Sequence, residues 1–195
     1  TLAGKMLDTT PSSSNAGQVA RLALVAVSAG SSTVNASLPI VGNGMTINES
    51  LTIGAVTMAR GSFDPGAAQT KEVGVKNYTF SSIKVTAGSA EKVFLPFIRW
   101  NQSGSAGSGD LGNLKTIVDG TEYNVVVSSD GKYFTVAFPE NSGKGLLVEK
   151  GFSKDISIKG DIVGGSARTI AFDIAKRTDV GVNGDTFKFG ITPPQ

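Results

Sequence analysis

Asp179, Asn183 and Asp185 stand within one short run near the C-terminal end of the chain, Asp179-Val-Gly-Val-Asn183-Gly-Asp185. Three oxygen donors so spaced can ligate a hard cation such as Ca2+, with backbone carbonyls and water completing the shell. Asp161 and Asp173, each on a predicted strand nearby, are further donors of the same kind. The full calcium-loop pattern is absent, so the same residues also read as solvated turn carboxylates. No cofactor other than this candidate Ca2+ is expected. A second arrangement is the carboxylate set Glu91, Asp119 and Glu122, since glycoside hydrolysis needs two carboxyl groups and no histidine. Sequence spacing does not set the separation that such a pair requires, and no catalytic residue is assigned.

Other chemistry is closed off by what is missing. The chain has neither histidine nor cysteine. That removes the commonest general base, the thiolate nucleophile and the ligands of ordinary zinc sites together. Gly107-Ser-Gly-Asp-Leu-Gly112 fits the dinucleotide-binding spacing, but the fingerprint works only between a strand and a helix. Here an extended run follows, which makes it a loop. Ser89-Ala-Glu-Lys92 fits the Ser-x-x-Lys spacing, in which a helix sets the two side chains one turn apart. It falls in a turn between strands and carries no such role. Trp100 and Tyr123 are the aromatics best placed for stacking on a sugar ring, with core packing as the competing role for Trp100.

These residues are positioned by strands. Residues 78–100 organise the chain: Ile83, Val85 and Ala87 alternate with Lys84 and Thr86, and Val93–Trp100 is apolar on both faces. The reading is two long strands joined by the polar turn Gly88-Ser-Ala-Glu91, the second strand more buried than the first. Phe80 is out of phase with Ile83, which predicts a bulge at Ser81-Ser82. Pro96 cannot donate to a ladder, so its strand is expected at an edge or at a bulge. Further strands are predicted over 51–60, 114–118, 123–127, 133–138, 145–148, 155–162, 169–174 and 187–191. Asp64-Pro-Gly66, Asp119-Gly120, Asp130-Gly131 and Gly164-Gly-Ser166 supply turns between them.

Residues 19–27 form another apolar run, read as a strand because its continuation echoes the organising stretch. Val27-Ser-Ala-Gly-Ser31 parallels Val85-Thr-Ala-Gly-Ser89, and Leu38-Pro-Ile40 parallels Leu95-Pro-Phe97, about 58 residues further on. Two matches in the same order indicate an internal repeat. A short strand around Leu2, Met6 and Leu7 precedes the loop Pro11–Asn15. The expected fold class is all-β, an antiparallel Ig-like β-sandwich over residues 49–195. Residues 1–48 are an N-terminal β segment, either part of a second sandwich or a donated strand pair.

Twenty-five glycines in 195 residues suit such a fold, and the net charge of +2 is not clustered. No nucleic-acid groove is expected from that balance, and no run approaches the ~20 apolar residues of a membrane span. No basic-then-apolar leader opens the chain, although Thr1 leaves a removed leader open. Four Asn-x-Ser/Thr tripeptides, at Asn35, Asn48, Asn77 and Asn101, have the form of glycosylation acceptors.

Several motifs taken together resemble a recurring β-sandwich module of large surface-layer or adhesin-type proteins of ultrasmall uncultured bacteria. They are Leu51-Thr-Ile-Gly54, Arg60-Gly-Ser-Phe-Asp-Pro65, Ile98-Arg-Trp-Asn-Gln-Ser-Gly104, Lys159-Gly-Asp-Ile-Val-Gly164 and Gly190-Ile-Thr-Pro-Pro194. The resemblance covers about residues 38–195 and rests on packing and turn residues. It implies an extracellular, cell-surface, non-enzymatic structural role in a surface layer, filament or appendage. Copies of the chain or neighbouring surface modules would be its partners. The alternative is a carbohydrate-binding or adhesive module that meets cell-wall or surface glycans through Trp100 or Tyr123.

Overall fold

The computed structural model describes residues 17–47 and 52–194. The predicted strand at Leu2–Leu7, the loop after it and Leu51 lie outside the described residues. The chain divides into two compact units, Thr1–Thr52 and Ile53–Gln195.

The first unit contains four two-residue strands: β1 (Val19–Ala20), β2 (Ala23–Leu24), β3 (Ile40–Val41) and β4 (Met45–Thr46). β1 pairs with β4 and β2 with β3, both antiparallel, so residues 19–24 and 40–46 run as the two arms of one long hairpin. Within the predicted strand 19–27, the paired residues are Val19–Ala20 and Ala23–Leu24. Leu22, Leu24, Val25, Ile40 and Met45 are 48–72 % exposed. Leu38 and Ile47 alone among the described residues of this unit are half-buried. Such a hairpin has no hydrophobic core of its own and is at best marginal in water.

The second unit is all-β and sandwich-like. Its strands are β5 (Val56–Arg60), β6 (Tyr78–Ala87), β7 (Val93–Leu95), β8 (Phe97–Ser103), β9 (Leu111–Val118), β10 (Thr121–Asn124), β11 (Val126–Val127), β12 (Tyr133–Ala137), β13 (Leu146–Val148), β14 (Ser153–Ile162), β15 (Ala171–Asp173) and β16 (Asn183–Gly184). They form a five-stranded sheet β10-β9-β14-β6-β5 and a four-stranded sheet β11-β12-β8-β15. A smaller sheet, β13-β7-β16, completes the unit, and every pairing is antiparallel. Alternating residues from both large sheets meet in one core: Val85, Val118, Ile156 and Ile158 from one side, Ile98, Trp100, Phe134 and Val136 from the other. Phe172 links the layers, with its ring 5.5 Å from Phe80 and 5.3 Å from Phe134. Burying this many large apolar side chains on two facing sheets is the main stabilising contribution, about 1.5–3 kcal/mol for each.

Several local expectations are refined. β6 and the strand after it are not partners; they lie in different sheets. The extended run 93–103 breaks at Pro96, where the chain leaves the β13-β7-β16 sheet and joins the four-stranded one. A residue without an N–H suits that switch, because neither ladder needs a donor there. The bulge in β6 falls at Phe80, one residue before the predicted position: Ile158 is opposite Ser81, and Lys159 is opposite Thr79. A similar switch splits the predicted strand 123–127 at Val125, with β10 in one sheet and β11 in the other. β8 continues through Asn101 and Gln102 to Ser103, past the predicted end at Trp100. The strand predicted over 187–191 is absent. Lys188 has φ +62°, and the ladder residues are Asn183 and Gly184 instead.

Candidate functional site

Glu91 is the most unusual side chain of the sandwich. The residue sits just after the turn that ends β6, in a stretch that reads from sequence as exposed, yet it is fully buried. Its carboxylate accepts hydrogen bonds from the Gly54 N–H at 2.8 Å, the Thr186 N–H at 2.8 Å and the Phe187 N–H at 3.1 Å. Burial alone raises this carboxyl, and nearby Asp185 acts in the same direction. The three N–H donors outweigh both and hold it below the usual glutamate range. The two glycines beside it are there for room. A Cβ at Gly54 would stand 2.7 Å from the Glu91 Cγ, and one at Gly184 would stand 2.5 Å from Oε1. Glu91 thus joins the chain ahead of β5 to the chain after β16, through backbone donors alone.

The same device recurs at the loops. Asp64 accepts from the Ser82 and Gly66 N–H groups and from the Ser81 hydroxyl, and it faces Arg60. Partial burial raises its carboxyl, and those contacts bring it below the ordinary aspartate range. Asp110 accepts from the Gly107 N–H and from Arg168, and both lower its pKa. Asp161 accepts from the Asn77 N–H and the Asn113 amide, again with a lowered pKa. Asp155 accepts from the Ser62 N–H at 2.7 Å. In each case a carboxylate pins a turn to a strand of the five-stranded sheet or its edge.

Among the candidate cation ligands, Asp179 and Asp185 each have a cationic partner. Asp179 is fully buried, forms an ion pair with Arg99 and accepts from the Lys176 N–H at 2.9 Å. Asp185 faces Lys188 at 3.0 Å and Lys92 at 3.4 Å, which together hold its carboxyl below the usual range. Asn183 is exposed on β16, opposite Phe94. Asp161 is engaged with Asn77 and Asn113, and Asp173 accepts from the Asn101 amide at 3.1 Å. Among the described residues, no three acidic side chains gather as metal ligands would.

Among the carboxylates considered for glycosidase chemistry, Glu91 is closed off from solvent. Asp119 and Glu122, around the β9–β10 turn, face Lys154 and Lys115 respectively. Gly107–Gly112 forms one short 3-10 turn and then enters β9, so no helix follows it.

Trp100 is corrected as a candidate stacking residue. It has no exposed surface, and its indole N–H donates to the Thr116 hydroxyl at 3.0 Å across the sandwich. Neither ring face is open to a sugar. Tyr123 is half-buried; its ring meets Phe138 edge-on at 5.0 Å and its hydroxyl donates to Glu140. Burial, that hydrogen bond and the charges of Glu140 and Asp119 push its pKa up to about 12.

Among the described residues, a surface hollow of about 350 Å³ opens between β5 and β15, the end strands of their sheets, over Met58, Ile83, Phe172 and Ile174. A further hollow, about 360 Å³, lies between Phe94 and Asn183, with Lys144 and Lys188 at its rim. Sequence reasoning missed the buried state of Glu91 and the β5–β15 opening. The first had a signal in hindsight, an acidic residue followed closely by an unbroken apolar run. The second depends on strand order, which no local pattern carries. Comparison with protein-family models, with curated proteins and with solved structures finds no match for this chain.

Proposed function

We propose that the chain is a non-enzymatic structural module of an extracellular cell-surface assembly, acting by packing against further copies of itself or neighbouring modules. The observation that carries this reading is the exposed apolar hairpin of residues 17–47, which is at best marginal until something covers it. Its two long faces and the free edges of the sandwich are the surfaces that an assembly would use. The interior polar groups support the same reading. Glu91, Asp64, Asp110, Asp161 and Asp179 are engaged in holding loops and chain ends, which favours rigidity over chemistry. A module that transmits load between neighbours needs that rigidity.

Electron microscopy of the concentrated full chain tests the proposal, with labelled antibody on intact cells as its second arm. Filaments or a two-dimensional lattice, and label outside the cell, are the expected results. Dispersed single particles at every concentration, or label confined inside, would overturn it.

A further inference from the structure

The chain contains two Asn-Gly steps, Asn43-Gly44 in the hairpin unit and Asn183-Gly184 on β16. At such a step the following backbone nitrogen can reach the asparagine side-chain carbonyl carbon, because glycine has no Cβ to obstruct the approach or restrict the backbone. What decides the outcome is how firmly that nitrogen is held, and the fold treats the two steps differently.

Asn183-Gly184 is clamped. The Gly184 N–H donates to the Phe189 carbonyl at 2.9 Å, and Asn183 and Gly184 pair with Phe94 and Val93 in the β13-β7-β16 sheet. Gly184 is also buried, packed against the Glu91 carboxylate. Asn43-Gly44 sits instead in a bulge. β1 and β4 pair as Val19 with Thr46 and Ala20 with Met45, whereas β2 and β3 pair as Ala23 with Val41 and Leu24 with Ile40. Residues 42–44 therefore stand opposite Arg21 and Leu22 alone, three against two. The Gly42 N–H donates to the Leu22 carbonyl at 2.8 Å and the ladder resumes at Met45, which leaves Asn43 and Gly44 outside it. Both are exposed. The strands on either side are two residues long with no core beneath them, so local opening costs little.

We propose that Asn43 is a self-modification site. The Gly44 backbone nitrogen gives its proton to solvent base and attacks the Asn43 side-chain carbonyl carbon. The bond from that carbon to the amide nitrogen breaks and ammonia leaves, closing a cyclic imide. Water then opens the imide at either carbonyl, to aspartate or to isoaspartate. The net change is an amide plus water giving a carboxylate plus ammonium, and no other reactant is needed. The new carboxylate is the first negative charge in residues 17–47, whose single charged side chain is Arg21. It forms close to that cation, since a Cβ at Gly44 would stand 3.1 Å from the Arg21 Nε. The isoaspartate product also adds a methylene to the main chain within the bulge.

Incubation of the dilute, folded full chain in mildly alkaline buffer made with heavy-oxygen water, followed by proteolysis and peptide mass spectrometry, tests this. Label is expected to enter at Asn43 at least about tenfold faster than at Asn183, with isoaspartate among the products. Isoelectric focusing should show the formal net charge falling from +2 to +1, and Asn43→Gln should remove that species. In denaturant the two steps should convert at comparable rates, because only the fold separates them. An Asn43 that stays intact in the folded chain while it converts in denaturant would show the bulge held closed and would overturn the proposal. Equal rates at the two steps in the folded chain, or no conversion in either condition, would overturn it as well.

Discussion

Glu91 shows how a single buried carboxylate can set the behaviour of a β-sandwich. Three backbone N–H groups from opposite ends of the unit converge on it, and no cation is among its hydrogen-bond partners. Glu91→Gln replaces one accepting oxygen by an amide that points hydrogens at N–H donors. The expected loss is about 3 kcal/mol of stability, or roughly 10 °C in Tm, read by denaturant and thermal unfolding. Because the folded carboxyl is held below its ordinary value, its contribution is complete above about pH 4.3 and disappears as pH falls through the folded value. Asp64, Asp110 and Asp161 act in the same direction. Stability is therefore expected to be flat from neutral pH to about 5 and to fall steeply below about 4, with Glu91→Gln giving a shallower fall. At the other end of the scale, Tyr123 keeps its proton to about pH 12. A difference absorbance titration of wild type against Tyr123→Phe should place the lost tyrosinate component there. A component near pH 10 would show the Glu140 contact to be absent in solution.

At the level of the strands, the period-2 runs placed most of the ladder correctly, because alternation reports directly on which face is buried. β9, β12, β13 and β14 follow their predicted spans within a few residues. What local pattern could not supply is sheet membership. The run 93–103 reads as one apolar strand, yet Pro96 divides it between two sheets, and residues 123–127 divide at Val125 in the same way. A strand that changes sheet keeps its alternation and loses only its partner, so nothing in the composition marks the change. The terminal stretch failed for a different reason. Phe187 and Phe189 alternate as a strand would, but Glu91 captures the Thr186 and Phe187 N–H groups that a ladder would need. Gly145 marks a corner that side-chain pattern also hides. It has φ +105°, and a Cβ there would lie 2.0 Å from the Leu95 carbonyl oxygen. Gly145→Ala should cost about 3 kcal/mol or more and loosen β13 from β7, seen as faster amide exchange at Leu146–Val148. Equal protection in the variant would contradict the close approach of those two strands.

On the scale of the whole molecule, the two units differ in kind. Ile53–Gln195 has a continuous core and carboxylate-pinned loops, whereas residues 17–47 form an exposed apolar hairpin with a single charge. The site residues legible in sequence were those whose type limits chemistry, above all the missing histidine and cysteine. The contacts of Asp179, Asp185 and Trp100 needed the fold, because each is decided by a partner more than twenty residues away or by burial: Arg99 for Asp179, Lys92 for Asp185, Thr116 and the core for Trp100. A hairpin with so much exposed apolar surface makes association the central expectation. Sedimentation velocity of the full chain over a wide concentration range at neutral pH tests it most directly. The account predicts larger species that grow with concentration. A single monomer boundary, unchanged up to the highest concentration reached, would contradict it.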